Sequence, residues 1–147
     1  MYSNILVAYD GSAHADKAIG VAIELAAKFD ADLHLVQVVD HAHASSGTAE
    51  FARSENVDDP DSLEIELAKK NLLQRFEPKV REAGVGNLHA RVARGDPAEQ
   101  LLNYIGGSGV DMVVMGRRGV GRMEGLLVGS VSAKVSALAD CAVLTIK

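Results

Sequence analysis

The sequence predicts an α/β fold: an open five-stranded parallel sheet with helices on both faces. Three observations predict it. Short runs rich in β-branched residues alternate with amphipathic stretches along the chain. The runs are nearly all apolar, as strands covered on both faces must be. Enough chain separates successive runs for right-handed crossovers.

The strands are "NILVAY" (4–9), "DLHLVQVV" (32–39), "LHARVA" (88–93), "DMVVM" (111–115) and "AVLTIK" (142–147). The first helix carries Ala18, Val21, Ala22, Leu25 and Phe29 as an apolar stripe, and the second carries Ile65, Ala68, Leu72, Phe76 and Val80. Pro78 should kink or end that second helix, because it lacks the N–H the ladder needs. "GDPAEQLL" announces a third, with Asp96 as N-cap, Pro97 at the first helical position and Glu99 at the reciprocal capping place. A fourth, from about Ser130 to Ala139, puts Val131, Val135 and Leu138 on one side. Residues 40–62, polar and turn-rich, read as a long surface connection inside a single domain spanning 1–147.

Length and charge bound the function. A chain of 147 residues can bury roughly two-thirds of its unfolded surface and needs no staples. Its single cysteine, Cys141, cannot form an intrachain disulfide, which favours a reducing compartment. The N-terminal residues lack a secretory pattern and no run reaches the length of a membrane span, so the expected location is the cytoplasm. A net charge of −5 sets the surface against nucleic acid and anionic lipid. Any anion it binds needs a local site.

One stretch offers such a site. "MGRRGVGRMEGLLVGS" (115–130) packs five glycines and three arginines between the fourth strand and the fourth helix. Ligands of open α/β sheets sit beyond the carboxyl ends of the strands, where strand order reverses. Glycines bring backbone N–H groups close to an anion, a helix N-terminus at Ser130 adds donors, and Arg117, Arg118 and Arg122 add charge. That is one reading, a phosphate cradle. A plainer one is a glycine-rich loop, solvated arginines and an ordinary serine N-cap. Loop chemistry alone leaves the two level.

The spacing separates them. Gly116, Gly119, Gly129 and Ser130 satisfy G-x2-G-x9-G-[ST], a match expected by chance on the order of 0.01 times in a chain of this composition. The pattern resembles the ATP-binding motif of the universal stress protein family. "NILVAYDGS", "LHLVQVVD", "RGDPAEQLLNYI", "DMVVMGRRG" and "LLVGSVSAKVSALADCAVLTIK" resemble that family in order and position. Only 40–62 carries no resemblance.

The resemblance implies a Rossmann-like sheet of order 3-2-1-4-5, with "DGS" and "MGRRG" facing each other across the switch point. It implies Asp10 near ribose and phosphates, the Val38 backbone at the adenine, and Ala8 in the pocket wall. Met115 and Gly116 would lie near the nucleoside, while Gly119, Gly129, Ser130 and Val131 would hold the phosphates, with charge from Arg118 and secondarily Arg117. The implied ligand is ATP, with any Mg2+ held through its phosphates. The implied partners are a second copy, paired through the last strand or further assembled as a tetramer, and a regulatory protein such as a transporter or kinase. Ala142 replaces the family's usual proline after Cys141, which bears on the last strand rather than on ligand.

Other features have plain readings. Asp10 in "YDGS" also suits a turn. His41 and His43 lack a third convergent ligand, and His14, His34 and His89 lack a serine or cysteine nucleophile partner. The Gly121, Gly125 and Gly129 ladder includes Arg122 and Glu124 and reads as a soluble loop. There is neither a P-loop nor a GxGxxG fingerprint, and Asp10 is the sole acidic candidate in the crevice, so little turnover is expected. The leading function is therefore an ATP-binding regulator. A slow ATPase or adenylyl-transferring enzyme, and an interaction module with an empty pocket, stand behind it.

Overall fold

A computed structural model describes residues 1–39, 60–119 and 129–147. The elements run β1 (Asn4–Tyr9), α1 (Ala13–Phe29), β2 (Asp32–Val39), α2 (Pro60–Glu82), β3 (Leu88–Arg94), α3 (Pro97–Ser108), β4 (Met112–Gly116), α4 (Ser130–Leu138) and β5 (Ala142–Ile146). Every strand pairing is parallel, and the sheet order is β3-β2-β1-β4-β5. The order reverses at β1 and β4, where Ala8 pairs with Val36 on one side and Met115 on the other.

Alternation along the strands splits the core in two. Ile5, Val7 and Tyr9 face α1 and α2, joining Ala18, Ile19, Ala22, Leu72 and Phe76. Leu6 faces the opposite layer, joining Leu101 and Ile105 of α3 and Val135 of α4. Tyr9 meets Phe76 edge-on at 5.1 Å between ring centroids, which fixes α2 over the carboxyl end of β1.

Four expectations need correction. The buried stripe of α1 is Ala15, Ala18, Ile19, Ala22, Ile23 and Ala26. Val21 and Leu25 pack at its margin and Phe29 stands half-exposed against Tyr2, because the helix is apolar over a wide arc and its small residues let it approach the sheet. Helix α2 continues through Pro78 to Glu82, and burial of Val80 beyond the proline helps offset the lost bond. It also begins at Pro60, inside the stretch read as a connection over 40–62. Leu138 is 58% exposed rather than packed, since it lies in the last turn of α4 past the anchoring Val135. The remainder of that connection, with His41 and His43, and the residues Gly121, Arg122, Glu124 and Gly125 lie outside the described residues.

Among the described residues, no helix is long and apolar enough to cross a membrane.

Candidate functional site

A cavity of about 680 Å³ opens at the carboxyl ends of β1, β2 and β4. Its first wall is built by "YDGS". Gly11 takes φ +82°, a left-handed conformation that other residues adopt with strain, and so turns the chain sharply after β1. Asp10 Oδ1 accepts the Ser12 N–H at 2.9 Å, and Ser12 Oγ accepts the Ala15 N–H at 3.2 Å, capping α1. Both readings of Asp10 therefore meet in one residue: it forms the turn and also lines the cavity.

The second wall comes from β4 and α4. Met115 is buried and forms part of the floor with Ala8. Gly116 is crowded from behind: a Cβ there would lie 2.8 Å from His14 Cβ and 3.0 Å from Ala15 N. Its bareness thus lets β4 meet the first turn of α1. Gly119 faces the opposite strand end, where a Cβ would lie 2.8 Å from Asp10 Oδ2. Gly129 lies against Arg117, whose carbonyl oxygen would be 3.2 Å from an added Cβ.

Arg117 ties these parts together through its backbone. Its N–H donates to Ile146 O at the end of β5 at 2.8 Å, and its carbonyl accepts both the Gly129 N–H and the Ser132 hydroxyl at 2.8 Å. Ser132 is buried and lines the cavity, with its hydroxyl donating to the backbone.

The start of α4 differs from the other capped starts. Ser12 caps α1 and Asp96 caps α3, the latter accepting the Glu99 N–H at 2.9 Å. Gly129 caps α4 with no side chain at all. Among the described residues the first N–H groups of α4 are left without a side-chain acceptor, at the positive end of the helix dipole. Ser130 and Val131 line the cavity at this end, and Ser130 is exposed. Arg118 lines it too, with a buried Nε that has no hydrogen-bond partner among the described residues. Arg117 Nε is in the same state, although Arg117 does not line the cavity.

The far end is mostly apolar. Val36, Val38 and Val39 come from β2, and Pro97 and Leu101 from α3. Tyr9 also contributes, but its hydroxyl donates to Asp16 at 3.2 Å; burial, then the Asp16 carboxylate, raises its pKa and keeps it neutral. Glu64 of α2 reaches the cavity as well. Asp10 is thus not its sole acidic residue. Glu64 sits on the polar side of the helical pattern, and nothing local in the sequence signals that α2 folds over the end of β2. Ten of the eleven residues implied by the resemblance line this one cavity: Ala8, Asp10, Val38, Met115, Gly116, Arg118, Gly119, Gly129, Ser130 and Val131; Arg117 does not. No group of three or more His, Cys, Asp or Glu suited to a metal ion occurs among the described residues.

A model of the universal stress protein family matches residues 1–147. The chain belongs to the universal stress protein family. It is 34% identical to the universal stress protein YxiE of Bacillus subtilis over 149 residues, covering all of both chains. A universal stress protein of Thermus aquaticus is 37% identical over 155 residues, again with full coverage of both. Among solved structures, the universal stress protein UspA from Lactobacillus plantarum superposes with a TM-score of 0.78 at 28% identity, over 99% of this chain and 98% of that one. A universal stress protein in complex with cAMP shares the fold at TM-score 0.70 and 23% identity, covering 99% and 97% of the two chains. One from Arabidopsis thaliana with AMP bound shares it at 0.65 and 24%, covering 99% and 91%.

Proposed function

We propose that this universal stress protein binds ATP in the cavity and works as a nucleotide-responsive regulator with little or no hydrolysis. The observation that carries the reading is the start of α4: N–H groups with no side-chain acceptor and a guanidinium Nε with no partner among the described residues, on the rim of one cavity. Buried donors left unpaired cost free energy, and a phosphate oxygen would satisfy them. The cavity volume lies within the roughly 300–1,000 Å³ usual for small-molecule sites. The cAMP and AMP named for two structural relatives point to adenine nucleotides as the ligand class.

In this reading Gly119, Gly129, Ser130 and Val131 hold the phosphates through N–H and hydroxyl donors, and Arg118 neutralises them. Asp10 serves the ribose, Val38 the base, and Ala8, Met115 and Gly116 shape the floor. A Mg2+ ion would be carried by the phosphates. Each cavity carboxylate has one oxygen committed to the fold, Asp10 Oδ1 to the Ser12 N–H and Glu64 Oε2 to Arg94. The regulatory output would be self-association or contact with a protein partner in the cytoplasm. The edge strand β5, with its half-exposed Leu144, is the proposed pairing surface.

The test is to denature the purified protein, identify the released nucleotide by mass spectrometry, and titrate the stripped protein calorimetrically with ATP, AMP and cAMP. ATP at near-stoichiometric amount, with tighter binding of ATP than of AMP, is expected. Absence of any nucleotide and of any binding heat would refute the reading. Light scattering with and without ATP then reads the assembly state, which should change.

A further inference from the structure

Glu64 is held in an uncommon way for a surface-helix glutamate. Its Oε2 accepts a hydrogen bond from Arg94 Nη2, and the Arg94 guanidinium also pairs with Asp61 through Nη1 at 3.4 Å. Both partners are largely enclosed, with side-chain exposures of 19% for Glu64 and 13% for Arg94. Arg94 closes β3, and the next residue, Gly95, donates its N–H to Val39 O at the end of β2. The carboxylate is therefore fixed beside Val38 and Val39.

Its place along the cavity follows from the sheet order. Helix α4 follows β4, whereas Arg94 ends β3, three strand positions away. At about 4.8 Å per strand these positions are separated by roughly 14 Å, which is comparable to the reach from a phosphate to a purine edge. If phosphates occupy the α4 end, Glu64 stands at the base end, where the walls are otherwise apolar. The remaining oxygen, Oε1, has no hydrogen-bond partner among the described residues. An ionised carboxylate only accepts hydrogen bonds, so it favours a ligand edge that donates. Arg94 offsets one of the two carboxylate charges it holds, those of Glu64 and Asp61, and so reduces the repulsion toward a triphosphate.

We infer that Glu64, positioned by Arg94, is a specificity-determining residue at the base end, accepting a hydrogen bond from the exocyclic amino group of an adenine nucleotide. The inference rests on the nucleotide-binding reading above. Purine riboside triphosphate, which lacks only that amino group, is the direct probe beside ATP. Calorimetric titration of the wild-type protein should give about 10-fold weaker binding of the probe than of ATP, the loss expected for one hydrogen bond to a charged acceptor. Glu64→Ala should shrink that preference to within about 2-fold, and Glu64→Gln, which can keep the bond to Arg94, should leave it in between. Circular dichroism and melting of both variants verify the fold, with the glutamine variant carrying the test should alanine unfold the chain.

A wild-type protein that binds ATP and the probe equally overturns the inference and leaves nucleotide binding intact. So does a preference unchanged in both variants. A deficit on 2′-deoxy-ATP that disappears in Glu64→Ala, with no amino-group preference, would reassign the carboxylate to the sugar. Failure of every nucleotide to bind would overturn both readings.

Discussion

Gly116 and Gly119 stand three residues apart in one motif, yet the structure gives them different work, and a pair of alanine substitutions separates the two. In Gly116→Ala the new methyl would meet His14 Cβ at 2.8 Å and backbone atoms of His14 and Ala15 at 3.0 Å. A helix backbone cannot swing aside, so β4 or α1 must move; overpacking of this kind costs about 1–3 kcal/mol. For a domain of this size each kcal/mol lowers Tm by about 2–4 °C, so a fall of about 2–12 °C is expected. In Gly119→Ala the methyl meets a single side-chain oxygen, Asp10 Oδ2 at 2.8 Å, with Asp10 Cγ 4.0 Å away. That carboxylate can rotate, so Tm should shift by no more than about 2 °C while ATP affinity falls by about 10-fold as Asp10 leaves its place. Scanning calorimetry reads the first quantity and titration the second. If Gly116→Ala melts with the wild type, or Gly119→Ala loses stability instead of affinity, the division of roles is wrong.

The remaining predictions are shorter. Arg118→Ala should weaken ATP by about 10-fold while leaving the nucleotide-free protein at least as stable, because it removes a buried Nε that has no partner among the described residues; a titration in step with the wild type would exclude Arg118 from the site. Ser12→Ala should cost about 1 kcal/mol in urea unfolding through loss of the α1 cap. Pro78→Ala should raise the urea midpoint, since it can restore a helical N–H bond inside α2. His34 lies buried with its ring nitrogens at 2.9 Å from Tyr104 Oη and 3.2 Å from Asn4 Oδ1; burial first, then the stacked His89, lowers its pKa below 6.5. Between that lowered value and 6.5 the unfolded chain binds the extra proton, so stability should fall as pH drops through this window. His34→Gln should reduce the slope of urea midpoint against pH there.

Legibility in the sequence followed the range of the signal. The runs at 4–9 and 32–39 matched β1 and β2 at both ends because turn residues bound them on each side. Asp96 and Pro97 marked the start of α3 because capping is decided within one turn. The positions in "DGS" and "MGRRG" were singled out by the glycine-motif spacing and by the family resemblance, since loop chemistry alone left two readings level. The stripe of α1 was misjudged because Ala18 and Ala22 fit two adjacent stripes, and only the sheet decides between them. Helix α2 survives Pro78 for a similarly distant cause, the seats of Phe76 and Val80 on the sheet. Glu64 was missed because its function depends on Arg94, thirty residues later. Sequence spacing carries no trace of such a meeting.

The backbone of Arg117 closes a circuit. One hydrogen bond, from the Gly129 N–H to the Arg117 carbonyl, joins the described residues on either side of the nine at 120–128 and ties α4 to the sheet. Closing a loop costs only about 0.6 kcal/mol more for each doubling of its length. A peptide inserted between 120 and 128 should therefore add little closure entropy to the join at Arg117 and Gly129. An insertion at Arg117 or Gly129 itself would instead break the hydrogen bonds that join β5, the end of β4 and α4.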